Sequence, residues 1–208
     1  MDKTYFTINK NLEIINQFLE EYYSNIKIKD SSAPSKFFSI YLNESISSKF
    51  KKKLEIDFVE LLRLQRKDGF YDEWYKNERS FCATAFAGMF LSEYLVNNKL
   101  KEKFDDKVLL ILKKIYESIK EKHNPWILNQ NLAKLLFLFN LLLLSKKYSK
   151  KLKIKIDDIN LNIIKLEKII NKSFIEKNYF EYSGIDLGYL SISLKILFKI
   201  DILNNGNY

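Results

Sequence analysis

The residues best suited to chemistry lie in three loops, each followed by a strongly apolar segment. Residues 67–79 combine four acids with an arginine, a tryptophan and two tyrosines, and residues 122–128 hold the only histidine and the second tryptophan. Residues 177–184 add one acid and two more tyrosines. Acids and aromatic rings carried in loops on a rigid scaffold are typical of binding sites. The sequence therefore predicts a functional site built from these loops.

Two kinds of catalysis fit these residue types. Paired carboxylates hydrolyse glycosidic bonds, and the candidates are Glu78, Glu181 and Asp186, although the carboxyl separation that distinguishes the mechanisms depends on the fold. His123 with Tyr75 or Tyr182 would form an acid and base pair for a lyase. The alternative for His123 is a loop histidine hydrogen-bonded to backbone. The sequence leaves catalysis open between these readings.

Ligand binding requires less than catalysis, and the same loops supply its components. Tryptophan and tyrosine rings stack on apolar sugar faces or isoprenoid chains, while carboxylates and Arg79 hold hydroxyls or anionic groups. No metal is expected, because the chain has one histidine and one cysteine. No cofactor is expected either, since no phosphate-binding motif occurs. The predicted ligand-binding residues are Asp72, Glu73, Trp74, Tyr75, Arg79, His123, Trp126, Asn129, Gln130, Tyr182 and Tyr189.

The elements that must position these loops are predicted to be helices. From about residue 52, an amphipathic helix followed by one that is apolar nearly all round occurs three times. The apolar members cover residues 80–96, 129–145 and 186–202. A helix without a polar face must be surrounded by protein. This alternation predicts an all-α protein whose helical hairpins form a two-layered (α/α) toroid-like ring, with a simple helical solenoid as the alternative.

The chain is expected to form one domain with an incomplete ring. Residues 1–50 are predicted as N-terminal helices, and residues 51–208 as a partial toroid of three hairpins. If every hairpin runs in the same sense, the three loops lie at one end of the ring, beside the N-termini of the inner helices. In the alternative, Trp74 and Trp126 plug the mouth of the ring and the acids cap the inner helices.

Composition limits the partners and the compartment. The formal charge is +9, yet the lysines are spread over many predicted helix faces, which argues against a nucleic-acid surface. The single cysteine, Cys82, fits a reducing compartment, and no apolar signal core opens the chain. The most apolar run, residues 135–144, is shorter than the roughly 20 residues of a membrane span. A cytoplasmic protein without a membrane span is therefore expected.

Several motifs resemble those of known helical toroids. Phe58-x2-Leu61-Leu62-x2-Gln65-x3-Gly69-x-Tyr71 resembles the glutamine-and-tryptophan repeat of terpenoid cyclase and prenyltransferase-type α/α toroids. Glu73-Trp-Tyr-x-Asn-Glu-Arg-Ser-Phe81 and Glu181-Tyr-x-Gly-x-Asp-x-Gly-Tyr-Leu190 are similar to segments of uncharacterised toroid proteins found with bacterial surface-polysaccharide genes. The resemblance spans about residues 53 to 200. It implies an α/α toroid with a role in glycan or isoprenoid-linked glycan metabolism.

Two functional hypotheses follow. The first is a toroid that binds or processes a carbohydrate, or an isoprenoid-linked carbohydrate, at the loop face. The aspartate-rich motif of the triterpene cyclases is missing, so the resemblance supplies no catalytic residues. The second is a non-catalytic helical interaction domain, or a truncated and inactive relative of a toroid enzyme. A closed toroid needs more hairpins than the three predicted here, so either a second copy or a partner chain completes the ring, or the chain is a shortened relative. Exposed apolar surface on the last helix beyond Leu197 would favour the interaction domain.

Overall fold

The computed structural model describes residues 51–97, 102–175 and 187–205, and all regular elements in these ranges are helices. They are α1 (Lys51–Leu64), α2 (Phe81–Asn97), α3 (Glu102–Ile119), α4 (Leu128–Lys147), the single turn α5 (Ser149–Leu152), α6 (Ile156–Ile175) and α7 (Leu187–Asn205). The prediction of an all-α protein is confirmed. The predicted N-terminal helices of residues 1–50 lie outside the described residues, as do Glu181, Tyr182 and Asp186.

Hydrophobic spacing explains the two kinds of helix. α3 buries a stripe from Val108 to Ile119 and α6 one from Ile159 to Ile170, with apolar residues three or four apart and charged residues on the outer face. α2 and α4 are instead buried on nearly every side. The helix types that the sequence pattern predicts for these four segments are therefore the ones observed.

The apolar helices form the centre of the fold. α4 packs against α2, α6 and α7, and an ion pair between Glu93 and Lys199 links α2 directly to α7. α3 packs on α2 and α6 packs on α4, so each of these amphipathic helices covers the apolar helix that precedes it. At Gly88 an added Cβ would lie 3.0 Å from both Ile115 and Phe137. An alanine there would require the Ile115 or Phe137 side chain to move by a few tenths of an ångström.

α7 departs from the prediction that the third apolar helix would be enclosed. Its Ile196 and Ile200 are buried, but Leu194 and Phe198 on the opposite side are exposed. α2 and α4 are each followed by an amphipathic helix that covers them, whereas no helix follows α7 within the described residues. A face of an apolar helix is buried only if another element packs on it. The prediction of full burial was wrong for this face.

By length and composition alone, α4 would also pass for a membrane span, the one such helix among the residues described. Of the most apolar segment of α4, 78% is buried inside the fold, and the buried core helix of a soluble protein also meets these criteria of length and composition. The absence of a membrane span therefore stays a prediction.

Candidate functional site

The first loop, residues 65–80 between α1 and α2, is closed at its base by backbone pairing. The Ser80 amide donates to the Tyr71 carbonyl at 2.9 Å, and the two residues form an antiparallel bridge. The Ser80 hydroxyl oxygen accepts the Ala83 amide at 3.1 Å, which caps the N-terminus of α2. The Tyr71 amide donates to the Thr84 hydroxyl at 2.9 Å. Both ends of the segment 71–80 are thus held against the first turn of α2.

The same loop is anchored on α3. The Gln65 side-chain amide donates to the carbonyls of Gly69 at 3.2 Å and Ile111 at 3.1 Å. Gly69 has a φ of +93°, and a Cβ there would lie 2.4 Å from the Lys114 carbonyl oxygen. Only glycine combines this backbone conformation with so close an approach. Gln65 and Gly69, which carry the resemblance to the toroid repeat, therefore join the loop to the neighbouring helix.

Glu78, a predicted catalytic carboxylate, binds the backbone of its own loop. Its Oε2 accepts the amides of Trp74 at 2.9 Å, Glu73 at 3.0 Å and Tyr75 at 3.4 Å. The Trp74 amide contributes most, and together with the other two it outweighs desolvation and lowers the pKa of Glu78. A general acid near neutral pH needs a raised pKa. The arrangement makes Glu78 a brace for the loop rather than a proton donor.

Asp72 braces the other side of the loop. Its carboxylate accepts the amides of Asn77 at 2.9 Å and Arg79 at 3.0 Å and a bond from Arg66 Nη1 at 3.2 Å. Desolvation opposes ionisation, but these three donors outweigh it and lower the pKa of Asp72. Asn77 and Arg79 have φ values of 71° and 57°, which cost conformational energy and orient their amides toward the carboxylate.

The other polar side chains of the first loop are also engaged. Glu73 Oε2 accepts the Ser80 hydroxyl at 2.8 Å. Asp68 Oδ2 pairs with Arg79 Nε at 2.8 Å, although the Arg79 side chain stays 61% exposed. None of these acids bonds an amide of the first turn of α2, which Ser80 caps. The alternative in which the acids cap this inner helix is therefore wrong for the first loop.

The aromatic side chains at the loop tips face solvent. Trp74 is 78% exposed, Tyr75 is 75% exposed, and Trp126 of the second loop is 77% exposed. A tryptophan that plugged the mouth of a ring would be buried among its neighbours. The alternative in which Trp74 and Trp126 plug the ring is therefore contradicted.

The second loop, residues 120–127 between α3 and α4, is braced by asparagines. Asn124 Oδ1 accepts the amides of Trp126 at 2.9 Å and Ile127 at 3.2 Å. The backbone amide of Asn124 donates to Oδ1 of the buried Asn131 at 2.9 Å, and the side-chain Nδ2 of Asn124 donates to Gln130 Oε1 at 2.9 Å. The sequence interpretation missed Asn124 and Asn131. An asparagine two residues before Trp126 was a signal for this turn, because asparagine bonds backbone two residues on.

The two loops are neighbours. Lys122 Nζ lies 4.5 Å from the centre of the Phe70 ring in the first loop. Lys134 on α4 donates to the carbonyls of Lys120 and Lys122, both at 2.7 Å, and so holds the end of α3 against α4. Burial lowers the pKa of Lys134 to about 8. The first two loops thus share one end of the fold, as predicted for hairpins that run in the same sense.

The remaining predicted site residues have different surroundings. His123 is exposed, Asn129 is buried, Gln130 holds Asn124, and Tyr189 lies partly exposed near the start of α7. In the described part of the chain, no three His, Cys, Asp or Glu side chains come together as a metal site would require. Comparisons of the sequence with family models and curated proteins, and of the structure with solved structures, find no match.

Proposed function

We propose that this protein is an incomplete α/α toroid that binds a carbohydrate, free or isoprenoid-linked, at the face formed by its first two loops. One observation carries the proposal: Trp74, Tyr75 and Trp126 stand about three-quarters exposed on loops whose polar groups are occupied in holding the backbone. Large aromatic rings are a source of binding energy when a ligand covers them.

The packing of the helices supports the toroid part of the proposal. α3 covers α2 and α6 covers α4, which is the order expected when hairpins follow one another around a ring. The contact of Lys122 with Phe70 joins successive loops at one end. A solenoid shares the order of the hairpins, but the two nearly wholly buried helices α2 and α4 favour an inner layer.

The exposure of the rings favours the sugar itself over an isoprenoid chain as the contacting group. A sugar stacks one flat apolar face on an aromatic ring and keeps its hydroxyls in water, so it needs no enclosure. An isoprenoid chain gains binding energy by leaving water on all sides. Arg79, which lies in the same loop as Trp74 and Tyr75 and has an exposed side chain, supplies N–H donors for sugar hydroxyls.

The same loops favour binding over hydrolysis. Asp72 and Glu78 have lowered pKa values and accept several hydrogen bonds from the loop, so neither is poised to protonate a leaving group. Their role in the proposal is to hold the rings before the ligand arrives. A preorganised site loses less conformational entropy on binding.

The experiment is a titration followed by tryptophan fluorescence and calorimetry. The ligands are hexasaccharides of glucose and of N-acetylglucosamine, a panel of bacterial surface polysaccharide fragments, and a short prenyl diphosphate. Trp74→Ala and Trp126→Ala should each weaken saccharide binding about tenfold, the loss expected for one stacking contact. Leu110→Ala, which removes an exposed apolar side chain from α3, is the control and should bind as wild type.

Two results would contradict the proposal. One is the absence of saccharide binding at millimolar concentration, including the case in which only the prenyl diphosphate binds. The other is saccharide binding that both tryptophan variants retain in full. Circular dichroism of each variant should show unchanged helicity, because both tryptophans are exposed.

A further inference from the structure

α7 carries a continuous line of exposed apolar side chains, called here the α7 stripe. Its members are Leu190, Leu194, Phe198 and Ile202, exposed by 42, 57, 66 and 49%. Residues four apart lie on the same face of a helix, one turn after another. The opposite face of α7 is buried, with Ser193, Ile196 and Ile200 in the core. α7 is therefore apolar on both sides but packed on one.

The stripe differs from ordinary exposed apolar residues. Leu110 on α3 is 55% exposed, nearly the same as Leu194, but Asp106 and Lys114 lie one turn before and after it, and both are exposed. Single exposed leucines of this kind are normal. The four side chains of the stripe together present on the order of 400 Å² of apolar surface, which is in the range of the largest apolar patch on a typical monomer, a patch that is often functional.

We propose that the α7 stripe is a dimerisation surface that binds the α7 stripe of a second copy of this chain in antiparallel orientation. The stripe is self-complementary about its midpoint, which lies between Leu194 and Phe198 on the exposed face, level with residue 196 along the helix axis. A two-fold axis there places Leu194 opposite Phe198 of the second copy and Leu190 opposite Ile202 of the second copy. Each contact then joins side chains of different shape, and the axis repeats both contacts. A surface that pairs with itself in this way is what a two-fold dimer requires.

The size of the stripe fits this occupant. A stable interface buries about 800 Å² on each partner, of which a little over half is apolar. The apolar area of the stripe, on the order of 400 Å², is close to that share. The chain carries a formal charge of +9, so two copies repel one another at low ionic strength. Dimerisation is therefore expected to strengthen as salt is added.

The first test measures the mass of the full chain by sedimentation velocity between 1 and 100 µM in 150 mM salt. Wild type should sediment as a dimer of the 24.8 kDa chain at the upper concentrations. Leu194→Asp should raise the dissociation constant about 30-fold or more, as for a residue at the centre of an interface. Leu110→Asp is the control, matched in residue type and exposure, and should leave the mass unchanged.

The second test checks the antiparallel pairing. Leu194→Asp and Phe198→Lys are combined in one chain. The antiparallel arrangement places each aspartate opposite a lysine of the second copy, so the double variant should dimerise better than either single variant. A parallel arrangement places aspartate opposite aspartate and lysine opposite lysine, so the double variant should then dimerise no better than the single ones.

Three results would overturn the proposal. The first is a wild-type chain that stays monomeric at 100 µM. The second is an equal effect of Leu194→Asp and Leu110→Asp on the dissociation constant. The third is a monomer in which Leu194→Asp alone lowers the melting temperature, since that result would show that a segment of the same chain covers the stripe. Any of these three results leaves the carbohydrate proposal untouched, because that proposal rests on the loops.

Discussion

Replacing Gly69 with alanine tests whether the first loop is anchored on α3. At a φ of +93°, an L-residue costs about 1 to 2 kcal/mol more than glycine. The new Cβ would also lie 2.4 Å from the Lys114 carbonyl oxygen, a backbone atom that cannot rotate away. The loop must then move, which breaks the two Gln65 hydrogen bonds, each contributing about 1 kcal/mol. The expected loss of unfolding free energy is about 3 to 4 kcal/mol.

Thermal unfolding of the full chain, followed by circular dichroism, measures this loss. For a chain of this size, 1 kcal/mol corresponds to about 2 to 4 °C, so Gly69→Ala should lower the melting temperature by about 6 to 16 °C. Urea denaturation at 25 °C should give the free energy directly. The same variant should also weaken saccharide binding, because the displaced loop carries Trp74.

Lys67→Ala is the matched control, since Lys67 lies two residues earlier and is exposed. Its effect on the unfolding free energy should stay within about 0.5 kcal/mol. A melting temperature for Gly69→Ala within 2 °C of wild type would refute the anchoring of the loop on α3.

Three further outcomes are expected. Glu78→Ala removes the acceptor of three loop amides, so the loop should open more often and trypsin should cleave after Lys76 about tenfold faster. Glu121→Ala is the control and should leave the cleavage rate unchanged. Equal rates for the two variants would reject the bracing role of Glu78. Because the pKa values of Asp72 and Glu78 are lowered, their contribution to stability is complete above the ordinary carboxyl pKa of about 4 and disappears as the pH falls through the lowered values. The loop amide signals in nuclear magnetic resonance should therefore begin to shift only below about pH 4. Signals that already shift at pH 5 to 6 would contradict the lowered pKa values. Because the pKa of Lys134 is lowered to about 8, the unfolded chain binds more protons than the folded chain between pH 8 and the ordinary lysine pKa, so the free energy of unfolding rises with pH in that range. Urea denaturation at pH 7.5 and 10 should show this rise for wild type and not for Lys134→Met. An identical rise in both would reject the lowered pKa.

Among the described residues, the amino-acid sequence was sufficient to predict α1 to α4, α6 and α7 and the position of the first two loops. The stripes of α3 and α6 and the uniformly apolar runs of α2 and α4 depend on local periodicity, which a single chain shows directly. The observed bounds of α2 and α4 differ from the predicted ones by one or two residues. The expectation that hairpins running in the same sense bring their loops together agrees with the contact between the first two loops, while the third loop lies outside the described residues.

The roles of individual side chains were decided by the tertiary structure. Asp72 and Glu78 were candidates for ligand contacts or catalysis, yet the loop backbone folds around them and binds both oxygens of Asp72 and one oxygen of Glu78. That outcome depends on positive φ values at Asn77 and Arg79, which no periodicity reveals. Residue type shows what a carboxylate is able to bind, but its actual partner depends on which donors the folded loop brings within 3 Å.

The exposure of the aromatic and apolar side chains was also decided by the tertiary structure. Trp74 and Trp126 were equally compatible with a buried plug and with an open platform, and only the folded arrangement left them in solvent. α7 has an apolar composition like that of α2 and α4, yet Phe198 is exposed because no described helix packs on that side. Composition determines which faces gain free energy when they are covered. Whether a face is covered depends on which elements the chain places beside it, and that is a property of the whole fold.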